Sequence, residues 1–132
     1  MIKIDPVELL NAAAEASKKA YAPYSHFPVG SALLGKNGKI YSGCNVENAS
    51  FGLTNCAERT ALFSAVVEGE REFVAIAIVA GGREIPYPCG ACRQVLAEFC
   101  KPDTPVFVAL LDDLAKFQHL PLGHLLPNTF KF

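Results

Sequence analysis

The period of the apolar positions changes along the chain, and each change marks a predicted element. Near the start, Asp5-Pro6-Val7-Glu8 sets an acid suited to a helix N-cap, a proline at the first helical position and a second acid three residues after the cap. Apolar residues at Val7, Leu10, Ala14 and Tyr21 then predict an opening amphipathic helix. Pro23 and Pro28 break the next segment. Residues 29–34 and 39–46 read as strands around Asn37-Gly38, a dipeptide suited to a tight hairpin turn with positive φ, so an antiparallel pair is expected. Residues 56–68 have a helical pattern that stops near Gly69, and 72–80 form an almost unbroken apolar run typical of a central strand covered on both faces. After a loop over 81–88, residues 89–100 read as helix and 105–111 as a second apolar strand. A short edge strand over 116–120 and a helical turn over 122–126, stopped by Pro127, complete the prediction.

This order, two paired strands followed by a strand-helix-strand unit, predicts an α/β fold: a three-layer sandwich with a mixed central β-sheet flanked by helices. No internal repeat, linker or low-complexity tract divides the chain, so residues 1–132 read as a single domain. Composition sharpens this picture in one respect. A chain of this size buries roughly two-thirds of its unfolded surface, and 51% apolar content against 19% charged is more than one small core easily hides. An oligomer interface is the expected outlet. Twelve basic against thirteen acidic residues leave a net charge of -1, which argues against nucleic acid or an acidic membrane surface as a partner. The start lacks the basic stretch, apolar run and small-residue cleavage site of a secretory leader, and the longest apolar segment, 74–80, is far too short to span a bilayer, so a cytoplasmic location is expected. In that compartment five cysteines point to metal binding or free thiols before disulfides.

The candidate chemistry lies in two separated segments, Cys56-Ala57-Glu58 and Pro88-Cys89-Gly90-Ala91-Cys92. Alone, a Cys-x-x-Cys pair fits a redox couple or half of a structural zinc site, and Cys-Ala-Glu is commonplace. Together they match the zinc deaminase pattern, in which a ligand stands two residues before a catalytic Glu and Pro-Cys-x-x-Cys supplies the others. Cys56, Cys89 and Cys92 are therefore candidate Zn²⁺ ligands and Glu58 the candidate proton carrier. Three protein ligands leave one tetrahedral position for water, which separates a catalytic site from a closed structural one. Coordination brings the pKa of water from about 9 on the aqueous ion to about 7 in a protein site. The charge of three thiolates exceeds that of the metal, so compensating positive potential is expected. Both ligand segments read as helix openings, whose amides carry partial positive charge, and Arg59 and Arg93 are candidate donors to the sulfurs. Helical spacing does not settle where Glu58 points, because residues two apart lie on nearly opposite faces; by itself it reads as a solvated acid in a first helical turn. One competing reading is a non-catalytic structural zinc module closed by Cys44; another keeps the deaminase chemistry but changes the substrate, to a nucleoside antibiotic, a nucleotide or a base in RNA. Otherwise Cys44 and Cys100 read as small buried groups, and His26, His119 and His124 show no ligand spacing.

With these segments in place, the chain resembles the small zinc-dependent cytidine deaminase family over nearly its whole length. Besides the two cysteine segments, the resemblance rests on Tyr24-Ser25-His26-Phe27-Pro28-Val29-Gly30, Asn45-Val46-Glu47-Asn48-Ala49-Ser50 and Cys56-Ala57-Glu58-Arg59-Thr60-Ala61, in order and at the family's spacing. It implies a cytidine deaminase-like fold and hydrolysis of free cytidine or deoxycytidine, with Glu58 as proton shuttle and Arg59 beside the zinc thiolates. It also implies that Phe27, Asn45, Glu47, Ala57 and Phe130 contact substrate. Phe27 would lie against the pyrimidine and Asn45 with Glu47 would hold the ribose, while Phe130 would enter a neighbour's site within a homotetramer. Phe51 stands where the family often has tyrosine, leaving aromatic packing without a hydroxyl. Residue chemistry agrees for Glu47, since a carboxylate accepts hydrogen bonds from sugar hydroxyls but repels a 5′-phosphate. Without the resemblance, Asn45 and Glu47 read as turn residues after a strand, and Phe27 as core.

Overall fold

The computed structural model describes residues 2–132. Helix α1 spans Pro6–Ser17, and its start is capped as the sequence predicts: the Asp5 carboxylate accepts from the amides of Val7 at 3.1 Å and Glu8 at 3.3 Å. Its buried face is Leu9, Leu10, Ala13 and Ser17; of the predicted series Leu10 is in the core and Ala14 packs partly buried against it, while Val7 and Tyr21 do not. Val7 is exposed, and Tyr21 falls beyond the helix end, where it forms an isolated bridge with Val46. The adjacent pair Leu9-Leu10 sets the register of the apolar face because two large side chains bury more area than a valine at the first turn.

Strands β1 (Val29–Gly35) and β2 (Ile40–Cys44) form the predicted antiparallel hairpin, with Leu33 opposite Tyr41. Only Gly38 in its turn takes a positive φ, 87°; Asn37 instead accepts from the Lys39 amide and donates to the Tyr41 hydroxyl. Gly38 N–H donates to the Gly35 carbonyl and Gly35 N–H to the Lys39 carbonyl, which makes a three-residue loop with its glycine in the left-handed position. A single 3-10 turn at Phe51–Leu53 precedes α2 (Ala57–Val67); β3 (Phe73–Ala80), α3 (Gly90–Phe99) and β4 (Pro105–Leu110) follow. The expected edge strand is longer than the 116–120 segment: β5 runs Asp113–Pro121, with Ala115, Lys116, Gln118 and His119 exposed. Helix α4 is the single turn Leu122–Leu125.

The sheet order is β2-β1-β3-β4-β5, parallel only between β3 and β4, which α3 connects. Strand alternation sends Ala32, Ala75, Ala77, Val79, Phe107 and Ala109 to one face, where α1 covers them with Leu9, Leu10 and Ala13. Leu33, Ile76, Ile78, Val106 and Val108 pack on the other face against Ala61, Leu62 and Leu96 of α2 and α3. These are the three layers predicted. Gly43 in β2 allows α2 to lie close: a Cβ there would sit 2.9 Å from the Ala57 carbonyl and overlap the Ala61 amide. The loss of one side chain thus draws the start of α2 against the sheet, with its N-terminus beside Val29 at the beginning of β1.

Candidate active site

Cys56 and Cys89 occupy equivalent places, each in extended conformation as the N-cap of its helix, α2 and α3. Neither thiol is used to cap its helix, so both sulfurs remain free for other partners. Cys92 stands three residues into α3 from that cap, where side chains at cap and third positions meet. The Sγ atoms of Cys56, Cys89 and Cys92 lie within 4.8 Å of one another, with Cys56 and Cys89 3.8 Å apart. Among the described residues this is the group that fits a metal, and Cys44 is not part of it, so the fourth cysteine required by the structural-module reading is not brought to the site. The donor set, three sulfurs converging with one position uncovered by a fourth, fits tetrahedral zinc.

The cap geometry also answers where Glu58 points. Cys56 is outside the helix proper and Glu58 is its second residue, so the opposite-faces rule for two helical positions does not apply to the pair. Glu58 is 5% exposed and lines a cleft of about 220 Å³ together with Cys56, Ala57, Cys89, Phe27, Val29 and Asn45. Burial pushes its carboxyl up to about 7, and charge on Cys56 adds to the rise against the opposing effects of its own amide, the Cys92 thiol and Arg59. A carboxyl poised near neutrality suits proton transfer in both directions. Hydrogen bonding from the Cys92 thiol, then from Arg59, brings Cys56 down to about 5 despite burial, while Cys92 is pushed up by its bond to the Cys56 sulfur and by burial. Arg59 donates from Nη2 to Cys56 Sγ at 3.2 Å, and the thiolates in turn hold its guanidinium charged.

The whole arrangement, with two helix N-termini facing one thiol cluster and a buried glutamate at the second helical position, sits in a chain whose residues 5–109 match the sequence model of the cytidine and deoxycytidylate deaminase zinc-binding region. The chain belongs to this deaminase family. It is 51% identical over 127 residues to the cytidine deaminase of Halalkalibacterium halodurans, covering 96% of this chain and 95% of that one. The cytidine deaminase of Sporosarcina psychrophila is 47% identical over 127 residues, 96% of this chain and 92% of its own. The crystal structure of the Burkholderia pseudomallei cytidine deaminase superposes with a TM-score of 0.90 at 49% identity, covering 96% of this chain and all of that one. Membership of the deaminase family and the thiol cluster agree on Zn²⁺ as the cofactor.

Around the deaminase centre, the remaining predicted residues divide into three groups. Phe27, Asn45 and Ala57 line the cleft directly. Glu47 lies beside it, in an adjoining pocket with Tyr24, Ser25, Phe51 and Thr54, and Thr54 borders both. Phe130 is 74% exposed and is not among the residues lining this chain's own cleft. Asn45, 8% exposed, also has structural work: its Oδ1 accepts from the Val29 amide and its Nδ2 donates to the Phe27 carbonyl, both at 2.9 Å, clamping the chain on either side of Pro28. Phe51 makes an edge contact with Tyr24, ring centroids 5.9 Å apart. Arg93 is not a sulfur donor; it reaches the carbonyls of Pro88 at 2.6 Å and Leu125 at 2.8 Å, tying the loop before Cys89 to α4. Being the residue after Cys92, it leaves α3 in a different direction from the ligand. Tyr87, Pro86 and Asn55 also line the cleft and carry no pattern that the sequence reading could have singled out.

Proposed function

We propose that this chain is a zinc-dependent cytidine deaminase that converts free cytidine and deoxycytidine to uridine and deoxyuridine with release of ammonia, a salvage reaction of pyrimidine nucleosides. The observation carrying this reading is the convergence of three thiols and the buried Glu58 carboxyl on one cleft in a member of this family. Zinc held by Cys56, Cys89 and Cys92 supplies Lewis acidity that makes water nucleophilic near neutral pH. Glu58 moves the protons. Its carboxylate takes one from the attacking water and delivers it to N3 of the pyrimidine, then carries the second to the departing amine as the bond from C4 to nitrogen breaks.

In this proposal Phe27 packs on the base, Ala57 borders it, and Asn45 and Glu47 receive the sugar hydroxyls. Residues 1–132 act as one domain in the cytoplasm. A homotetramer brings Phe130 of one subunit to the cleft of the next. Supporting that assembly, Phe51, Leu53, Val67 and Phe130 are largely exposed on a single chain and Phe63 is about half exposed, large apolar side chains that a subunit interface would cover. Among the described residues no helix is long and apolar enough to cross a membrane. The test is an ultraviolet assay of the purified protein with cytidine, deoxycytidine, cytidine monophosphate and adenosine. Turnover of the two pyrimidine nucleosides alone is expected; preferential turnover of the monophosphate or of adenosine would overturn the substrate assignment.

A further inference from the structure

Ser25 occupies a junction that the chemistry above leaves unexplained. Its backbone amide and that of Tyr24 both donate to Glu47 Oε1, at 3.1 and 3.0 Å, while its hydroxyl is hydrogen-bonded to Glu47 Oε2. The same Oγ is reached by the Phe27 amide at 3.1 Å. A serine hydroxyl has one proton to give, and with the Phe27 N–H donating to its oxygen that proton is directed at Glu47. Two amides satisfy Oε1, and Ser25 takes one acceptor direction of Oε2, so the acceptor capacity left for a ligand lies on Oε2 alone. His26, between Ser25 and Phe27, takes φ 56°, the left-handed conformation that turns the chain and brings the Phe27 amide back to the Ser25 oxygen.

We infer that Ser25 is a positioning residue that holds the Glu47 carboxylate and the Phe27 ring in fixed register, so that sugar and base are read as one rigid unit. The inference rests on the proposed contacts of Glu47 with sugar and Phe27 with base. Two features of the fold support it. Phe27 lines the cleft with Glu58 while Glu47 lines the adjoining pocket with Phe51 and Thr54, so a link between them spans the two halves of one elongated site. Asn45 already fixes the far side of the segment at Phe27 and Val29, leaving Ser25 as the tie on the near side. The Ser25 hydroxyl is also the largest influence holding the Glu47 carboxyl below its ordinary range, with desolvation opposing and the Ser25 amide, the Tyr24 amide and His26 acting the same way as the hydroxyl.

The experiment measures kcat and KM for cytidine in Ser25→Ala, Ser25→Thr, Glu47→Gln and the double variant Ser25→Ala with Glu47→Gln, with zinc content and thermal midpoint recorded for each. Losing a hydrogen bond to a charged group is expected to raise KM about tenfold in Ser25→Ala, with kcat little changed. Ser25→Thr, which keeps the hydroxyl, should return KM to near the parent value. In the Glu47→Gln background, Ser25→Ala should add far less than it does alone, because residues acting through each other are not additive. An unchanged KM in Ser25→Ala, an effect confined to kcat, or full additivity in the double variant overturns the positioning role. Parent-like KM in Glu47→Gln instead removes the sugar contact itself, a separate result that withdraws the reading beneath the inference.

Discussion

Arg59 Nη2 and Cys56 Sγ stand 3.2 Å apart, one helical turn joining a cation to the sulfur at the cap of the same helix. The pair concentrates positive charge where three thiolates would otherwise outweigh a divalent metal. Because Arg59 is held inside the α2 framework, this compensation is built into the helix that also carries Glu58. Replacing Arg59 by Gln should lower activity or zinc affinity by about tenfold or more, the usual cost of losing a group that supports a metal ligand. Metal analysis under chelator competition, alongside kcat, checks it; parent values of both would remove the charge-compensation role.

Glu58→Gln keeps the size and hydrogen-bonding capacity of the side chain but not its basic carboxylate. Turnover should fall by at least about 10²-fold, while zinc content remains that of the parent. Steady-state kinetics with metal analysis on the same preparation separates the two effects. A zinc-replete variant with near-parent turnover would exclude Glu58 from proton transfer.

The cysteines should differ in reactivity once zinc is stripped. Cys56, lowered to about 5 by the Cys92 thiol and Arg59, is a thiolate at neutral pH, and its labelling by an alkylating agent should slow only as pH falls toward that value. Burial pushes Cys100 up to about 12, so it stays protonated and inert across the same range. Mass spectrometry of alkylated peptides reads both, and bound zinc should protect Cys56. Labelling of Cys100 ahead of Cys56 at neutral pH would contradict this order.

Gly43→Ala tests the close seat of α2. A methyl group 2.9 Å from the Ala57 carbonyl must displace backbone at the first turn of α2, since no flexible side chain stands there to yield. Overpacking of this kind costs typically about 1 to 3 kcal/mol, so the thermal midpoint should drop by several degrees. Activity should fall as well because Glu58 and Cys56 ride on the displaced turn. An unchanged midpoint in thermal denaturation would show that the contact is relaxed elsewhere at no cost.

Phe130 offers a test of shared sites. An inactive Glu58→Gln chain mixed with a chain truncated before Asn128, assayed at low substrate where its raised KM leaves little turnover, should recover activity once subunits exchange, because some oligomers then combine an intact cleft with an intact Phe130. Aromatic stacking on a base is worth about 1 to 3 kcal/mol in nucleic-acid binding, and the truncated chain alone should show a correspondingly higher KM. An active monomer in sedimentation, or verified exchange without recovery, would confine the site to one chain.

The sequence by itself determined the ingredients: apolar runs that can only be buried strands, the Asp5 cap, the Asn37-Gly38 turn and two cysteine segments whose combination matches one chemistry. These are local or spacing properties, carried by neighbours along the chain. Direction was decided only by the tertiary structure. Whether Glu58 faces the thiols depended on Cys56 being a cap and not a helical residue, and which arginine serves the sulfurs depended on Arg59 lying one turn from that cap while Arg93 is drawn to the carbonyls of Pro88 and Leu125. Likewise, Val7 is apolar in sequence yet exposed because α1 is rotated to bury Leu9, Leu10 and Ala13 on small residues of β3, and Tyr21 is exposed because the helix ends before it and its backbone bridges to Val46. The junction at Ser25 was invisible in the sequence for the same reason. A serine in a proline-flanked turn is ordinary, and it becomes a link only when Glu47, on a distant segment, is folded back to within reach of its hydroxyl.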